Sequence, residues 1–188
     1  MALPQSNTPP RLSYQMNWPN RITLIRIFLV PLLLVFLMSP HGWFPAIAAT
    51  IFLIAAFTDW LDGHLARSTN QVTRLGQLLD PIADKLLVTA ALVALVERQQ
   101  VPAWMVVIIL GRELAVTGLR ALAADRHIII AAETFGKYKM VFFIIGAALL
   151  MLNLASLYLP GIIALVIGML LSIISGIDYL RKYLVRIL

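Results

Sequence analysis

The sequence has no cysteine and few charged residues. The absence of cysteine among 188 residues excludes a disulfide framework, a thiolate metal site and a cysteine nucleophile. With only three histidines present, any bound metal would be held mainly by oxygen ligands. Charged residues make up 13% of the chain, against about 25% in an average soluble domain. With 61% hydrophobic residues and a mean hydropathy of +0.89, this composition excludes a disordered chain and an ordinary water-soluble globule.

Long apolar runs dominate the rest of the chain. Six of them approach the roughly 20 residues that a helix needs to cross a bilayer, and they lie at 22–38, 43–65, 78–96, 102–122, 140–158 and 161–180. The predicted fold is therefore an all-α integral membrane bundle of six transmembrane helices. Residues 1–10 read as a flexible tail without the pattern of a cleaved signal peptide, and residues 11–188 as one membrane domain. Residues 11–20 predict at most a short interfacial helix.

The distribution of cations predicts the orientation of the bundle. The loops between runs at 39–42, 97–101 and 159–160 hold only Arg98, whereas the other side collects Arg11, Arg21, Arg67, Arg74, Arg126, Lys137, Lys139, Arg181, Lys182 and Arg186. Positive charge favours the cytoplasmic side, so both termini are expected in the cytoplasm. The net charge of +6 indicates contact with anionic lipid or phosphorylated substrates before it indicates nucleic acid.

Four of the nine acidic residues fall within one apolar stretch, as Asp59, Asp62, Asp80 and Asp84. A carboxylate near hydrocarbon costs several kcal/mol on insertion scales, so it persists only if it is paired, bound to metal or exposed to a polar cavity. Ion pairs with Arg67, Arg74 or Lys85 are the alternative explanation, but two facing stripes of carboxylates are difficult to explain in that way.

The spacing of these aspartates predicts a metal site. Asp59 and Asp62 share a helical face with Gly63 and Ala66, and Asp80 and Asp84 share one with Gly76. The connection at 67–75 is short and polar, so the two helices should be antiparallel neighbours whose acidic faces meet. Four carboxylates in a small volume repel unless cations lie between them, and an all-oxygen donor set favours Mg²⁺ or Mn²⁺. Four carboxylates suffice for two ions, which suits phosphoryl chemistry.

The pattern D-x2-D-G-x2-A-R-x8-G-x3-D-x3-D runs from Asp59 to Asp84 with every fixed position filled. It resembles the signature of the CDP-alcohol phosphatidyltransferase family. The segment WPNRITLIR resembles the family's N-terminal motif at Asn20, Thr23 and Arg26. The stretches GRELAVTGLR and GKYK, at 111–120 and 136–139, resemble the bacterial members that make phosphatidylglycerophosphate.

This resemblance implies a reaction and a role for each motif residue. The family transfers a phosphatidyl group from a CDP-linked lipid, here CDP-diacylglycerol, to an alcohol, here sn-glycerol 3-phosphate, and CMP leaves. It implies a homodimer in the bacterial cytoplasmic membrane, with the active site facing the cytoplasm. By family analogy, the four aspartates bind metal, and Asp84 is also the base that takes the proton of the acceptor hydroxyl. The residues assigned to the CDP-lipid are Gly63, Ala66, Arg67, Gly76, Asn20, Thr23 and Arg26.

Four cations are candidates for the phosphate of the acceptor: Arg112, Arg120, Lys137 and Lys139. Arg112 lies inside an apolar run, where a guanidinium is costly unless an anion compensates it. Arginine binds phosphate in a bidentate manner and lysine acts as a point charge. The alternative role of the two lysines is to anchor the topology of the chain. Glu113, which follows Arg112, is expected to pair with an arginine.

Three other functions remain open from the residues alone. Inositol phosphate would need the same cations as glycerol phosphate, and phosphatidylglycerol as acceptor would make the chain a cardiolipin synthase. Uncharged serine would not need all four cations. A divalent-cation transporter would need charges near the midplane with access from both sides, whereas here the acids lie towards one side.

Overall fold

The structure is a computed structural model that describes residues 18–69, 74–125 and 135–187. Within these ranges the chain forms six α-helices and no strand, which confirms the all-helical prediction. The helices are α1 (Trp18–Met38), α2 (Phe44–Thr69), α3 (Arg74–Glu97), α4 (Ala103–Asp125), α5 (Phe135–Met151) and α6 (Ala155–Ile187). Residues 1–17, which include the predicted tail and most of the predicted interfacial helix, lie outside the described residues.

Two predicted connections are wrong. The fifth run was expected to end at 158, before a loop at 159–160, but α5 ends at Met151 and Pro160 lies inside α6. Asn153 explains the break because it adopts a left-handed backbone (φ 54°), which asparagine tolerates better than most residues. Hydropathy cannot detect this break because apolar residues continue on both sides of it. The connection expected at 67–75 is also shorter, because α2 continues to Thr69 and α3 begins at Arg74.

The six helices pack around one main apolar core, and a smaller cluster of Val116, Leu119, Ala123 and Tyr179 lies on α4 and α6. The most extensive contact is between α5 and α6, while α1 packs on α2 and α3, and α4 packs on α6. Helices α2 and α3 also touch α5 and each other. Side chains such as Leu33, Phe52, Leu92, Ile109, Phe143 and Leu165 are almost completely buried in the main core, so all six helices contribute to it.

Glycines allow α5 and α6 to approach closely. A Cβ atom added to Gly146 would lie 2.8 Å from Leu165, and one added to Gly161 would lie 2.7 Å from Leu150. At Gly168 it would lie 2.7 Å from the ring of Phe143, which is 1% exposed and cannot move aside. Small residues at such a contact are typical of helices that pack within a membrane.

The cation in the predicted outer loops has a structural role. The guanidinium of Arg98 donates a hydrogen bond to the carbonyl of Leu37, in the last turn of α1. The last carbonyls of a helix have no partner within it, so a cation at this point both satisfies the oxygen and complements the helix dipole. Arg98 therefore joins the end of α3 to the end of α1.

One helical stretch within the described residues is long and apolar enough to cross a membrane. It covers Ala155–Arg181 and has a mean hydropathy of 2.5. Thr23–Met38, Phe44–Thr58 and Tyr138–Met151 are apolar but shorter. The sixth predicted span therefore meets the criteria of length and composition, and the number of six spans is not confirmed.

Many large apolar side chains face outwards. Phe28 is 74% exposed, Leu114 is 72% exposed and Val107 is 68% exposed. Extensive apolar surface is unfavourable in water, and soluble monomers rarely expose large contiguous patches. Together with the apolar length of α6, this surface is typical of a membrane protein.

We expect Gly168→Ala to destabilise the protein by about 1–3 kcal/mol, because the new methyl group would overlap the immobile ring of Phe143. Unfolding in detergent, followed by circular dichroism against temperature or denaturant, would measure the change. The matched control is Gly118→Ala, where no atom lies within 4 Å of the added Cβ. Equal stability of both variants would show that the contact between α5 and α6 is not tight at this position.

Candidate active site

The aspartates of the motif lie on two helices that contact each other. Asp59 and Asp62 belong to α2, Asp80 and Asp84 belong to α3, and four residues of sequence separate the two helices. The neighbouring helices agree with the predicted arrangement. The side chains of these four aspartates lie outside the described part of the structure, as do Gly63, Ala66, Arg67, Gly76, Asn20 and Lys137. The roles predicted for these residues therefore remain predictions.

Thr23 and Arg26 are buried on α1. Thr23 is 3% exposed and Arg26 is 2% exposed, and their spacing of three residues places them on one face of the helix. Helix α1 packs on α2 and α3, the helices that carry the aspartates. A buried guanidinium in an apolar helix is costly unless it serves a polar interior, so Arg26 is suited to a site among these three helices.

Arg112 joins α4 to α6. Its Nε donates a hydrogen bond to the carbonyl oxygen of Ser172 (2.6 Å), and its Nη2 donates to the hydroxyl of Ser175. A Cβ on Gly176 would lie 3.0 Å from Nε, so the glycine leaves room for the guanidinium. Nη1 forms an ion pair with Glu113 Oε1 at 3.0 Å. The pairing of Glu113 with an arginine, predicted from the sequence, is therefore confirmed.

Lys139 reaches the same carboxylate from α5. Its ammonium donates to Oε1 of Glu113, the oxygen that also accepts from Arg112. The side chain of Lys139 is 8% exposed and that of Glu113 is 21% exposed, so water screens this contact only weakly. Two of the four predicted acceptor cations, Arg112 and Lys139, are thus brought together by one carboxylate.

Lys85, which follows Asp84 in sequence, turns towards α4. Its ammonium donates to the hydroxyl of Thr117, which in turn donates to the carbonyl of Glu113 (2.7 Å). A cavity of about 150 Å³ lies between α3, α4 and α5 beside these groups. Its charged lining residues are Lys85 and Glu113, and the rest of its wall is mainly apolar. The charged groups on α3, α4 and α5 therefore share one small volume.

Arg120 lies about two turns beyond Arg112 and also faces α6. Its Nε donates to the hydroxyl of Tyr179 (3.3 Å), and its guanidinium carbon lies 5.5 Å from the centre of that ring. Tyr179 is 1% exposed, so this hydroxyl needs an internal partner. Arg120 thus contacts α6 at a different point from Arg112.

A polar stripe on α6 was not predicted from the sequence. Ser172, Ser175, Gly176 and Tyr179 follow at i, i+3, i+4 and i+7, which is one face of a helix. This face receives both arginines of α4. Small and polar residues at helical spacing within an apolar run were the signal that could have revealed it.

The described cluster can hold an anion. Arg112 and Lys139 meet at Glu113, and Lys85 lines the cavity beside this carboxylate. Positive charges that are little exposed to water are stabilised by a bound anion. Among the residues whose side chains are described, no three carboxylates or histidines form a metal site. The four aspartates remain the predicted metal ligands, with oxygen donors that suit Mg²⁺ or Mn²⁺.

We expect Ser175→Ala to lower the stability of the protein by about 1.5–3 kcal/mol, because the buried guanidinium of Arg112 would lose a charged hydrogen bond. Chemical denaturation in detergent would measure the loss. Ser156→Ala is the control, since this serine lies exposed near the start of the same helix. A loss of the same size in both variants would contradict the anchoring role of Ser175.

The chain is similar to known lipid-synthesising enzymes. The model of the family described as CDP-alcohol phosphatidyltransferase matches residues 16–174. The chain is 40% identical over 182 residues to CDP-diacylglycerol–glycerol-3-phosphate 3-phosphatidyltransferase of Bacillus subtilis. This match covers 88% of this chain and 94% of the relative. It is 38% identical over 172 residues to a probable phosphatidylglycerophosphate synthase of Mycobacterium tuberculosis, with 89% and 82% covered. A Salmonella choleraesuis protein with the first of these names is 41% identical over 131 residues, with 66% and 71% covered.

These matches agree with the motif and with the helical fold that carries it. The matched residues include the aspartate helices α2 and α3 and the cation cluster on α4 and α5. Members of the family generally depend on a divalent metal. The chain belongs to the CDP-alcohol phosphatidyltransferase family and is a transferase of phospholipid biosynthesis.

Proposed function

We propose that this chain transfers the phosphatidyl group of CDP-diacylglycerol to sn-glycerol 3-phosphate, giving phosphatidylglycerophosphate and CMP. The strongest support is the 40% identity to the Bacillus subtilis enzyme named for this reaction, over nearly the full length of both proteins. The cation cluster around Glu113 adds independent support, because an acceptor that carries a phosphate dianion needs such a site.

The donor binds where α1, α2 and α3 meet. Asp59, Asp62, Asp80 and Asp84 hold two Mg²⁺ or Mn²⁺ ions, and Gly63, Ala66 and Gly76 leave room for the nucleotide beside the backbone. Arg67 approaches the diphosphate, and Asn20, Thr23 and Arg26 complete the pocket from α1. When bound, the divalent ions neutralise charge on the attacking and leaving oxygens.

Asp84 is the general base. The acceptor hydroxyl must lose its proton as its oxygen attacks the phosphorus atom, and a carboxylate within hydrogen-bond reach can take it. Asp84 lies on α3 one residue before Lys85, whose ammonium contacts α4. Asp84 is therefore close in sequence to a residue that contacts α4, the helix of the cation cluster. An acceptor held there by its phosphate can present its hydroxyl to Asp84.

The acceptor phosphate is bound by Arg112, Arg120, Lys137 and Lys139. Arg112 donates three of its N–H groups to Ser172, Ser175 and Glu113, and its two further N–H groups can bind a ligand. Lys139 is held by Glu113 close to Arg112. Arg112 thus combines an anchoring role in the fold with a place in the pocket.

The enzyme works in the bacterial cytoplasmic membrane. All six helices span the bilayer, both termini lie in the cytoplasm and the site opens to cytoplasmic water, while two copies of the chain form a homodimer. The apolar helix α6, the outward-facing apolar side chains and the distribution of cations support this placement.

The identity of the acceptor is the finer point to test. CMP release from CDP-diacylglycerol in detergent, measured with a panel of acceptors, should be fastest with sn-glycerol 3-phosphate. Faster release with inositol phosphate or phosphatidylglycerol would move the chain to another branch of the same chemistry. Absence of CMP release with every acceptor would contradict the proposed reaction.

We expect Asp84→Asn to reduce turnover by a factor of about 10²–10⁴, because the variant lacks the base. The measurement is CMP release at saturating concentrations of both substrates with Mg²⁺ or Mn²⁺, and chelation should abolish the wild-type rate. Glu97→Gln is the matched control, since Glu97 is exposed at the far end of α3. Turnover of Asp84→Asn close to the wild-type rate would show that another group is the base.

Labelling of single cysteines should report the topology, and the natural chain contributes no cysteine of its own. Cysteines at Ser39 and at Thr69 should react with a membrane-impermeant maleimide from opposite sides of the membrane, because α2 lies between them. Both cysteines should react after the membrane is dissolved in detergent. Reaction of both from the same side would contradict the proposed topology.

A further inference from the structure

Glu113 stands at the centre of the cation cluster. Its Oε1 accepts from Arg112 on its own helix and from Lys139 on α5, and Lys85 on α3 lines the cavity beside it. The side chains of Arg112, Lys139 and Glu113 are 13%, 8% and 21% exposed. At such depth an elementary charge acts strongly on its neighbours.

Charge alone makes Glu113 an unexpected group in a phosphate pocket. A carboxylate repels a phosphate dianion, and like charges placed together at a binding site cost affinity. Without the carboxylate, however, Arg112 and Lys139 would lie buried side by side and would repel each other whenever the site is empty. Glu113 therefore stabilises the site when it is empty and weakens the binding of a phosphate to it.

We propose that Glu113 is a resident counter-ion, a positioning residue that holds Lys139 and Arg112 in place and limits the affinity of the acceptor phosphate. This inference rests on the proposed function, because it takes the cluster to be the acceptor pocket. The transfer leaves the acceptor's phosphate group on the product. A pocket that held this phosphate too tightly would retain the product as well as the substrate, so a competing internal anion favours release.

A purely structural Glu113 would behave differently. If the carboxylate served only to join α4 to α5, its replacement would lower stability and would leave acceptor affinity unchanged or weaker. Glutamine separates the two roles, because it keeps the size and the accepting oxygen of glutamate but carries no charge. The sign of the change in acceptor affinity is therefore the decisive readout.

The experiment compares wild type, Glu113→Gln and the control Glu97→Gln as full chains in detergent. Initial rates of CMP release are measured against sn-glycerol 3-phosphate, then against CDP-diacylglycerol, and inorganic phosphate is used as a competitive probe. Glu113→Gln should lower the KM of the acceptor and the inhibition constant of phosphate by about tenfold each, because a nearby like charge has been removed. The donor KM should change by less than about twofold, and Glu97→Gln should match wild type in all three.

A second pair of variants tests the proposal if Glu113→Gln folds poorly. Lys139→Gln leaves Glu113 paired with Arg112, and the double variant Glu113→Gln/Lys139→Gln replaces the buried ion pair by two neutral amides. Protection against thermal unfolding by inorganic phosphate gives its affinity without any catalytic turnover. The double variant should bind phosphate more tightly than Lys139→Gln alone.

Three results would overturn the inference. They are an acceptor KM that stays unchanged or rises in Glu113→Gln, a donor KM that falls as much as the acceptor KM, and a double variant that binds phosphate no better than Lys139→Gln. Wild type that releases no CMP with sn-glycerol 3-phosphate would overturn the proposed function instead. The protection measurement would then still decide whether Glu113 limits the binding of phosphate.

Discussion

The shared carboxylate of Glu113 is the interaction around which the polar part of this bundle is organised. It fixes Lys139 of α5 beside Arg112 of α4, and Arg112 in turn holds two serines of α6. Together with the hydrogen bond from Arg120 to Tyr179, these contacts give the three helices a defined axial register. Apolar packing alone tolerates small sliding movements, whereas buried ion pairs and hydrogen bonds fix particular partners. A phosphate pocket requires this precision because its cations must converge on one point.

The rest of the fold serves to bring helices close enough for that convergence. Gly146, Gly161 and Gly168 let α5 and α6 pack tightly. Lys139 of α5 and Ser172 of α6 can therefore both lie close to Arg112. Arg98 closes the opposite end by binding the last turn of α1. Arg112, Lys139 and Glu113 thus belong to one cluster and Arg98 is attached to a helix end, while many large apolar side chains face outwards.

This arrangement gives the family's chemistry a physical basis. A reaction between a lipid-linked nucleotide and a water-soluble phosphate needs one polar site at the edge of an apolar bundle. In the proposed function, the motif supplies carboxylates from α2 and α3 for the metal ions, and α4, α5 and α6 supply cations and their supports for the acceptor.

The sequence by itself determined the helical class, the approximate helices and the family. Apolar runs of sufficient length predict helices, and eight motif positions at fixed gaps are specific enough to identify the chemistry. Helical periodicity also placed Asp59 with Asp62 and Asp80 with Asp84, because spacing within one helix is a local property. The end of α5 was missed because it depends on the backbone of Asn153, which hydropathy does not register.

Only the tertiary structure decided which helices the buried cations face. Arg112 meets Ser172 and Lys139 meets Glu113 across 60 and 26 residues of sequence. Periodicity defines the face of a helix on which a residue lies, but it does not define which neighbour covers that face or at what height. Those choices follow from the packing of whole helices, in which glycines, ring positions and buried charges must all be satisfied together.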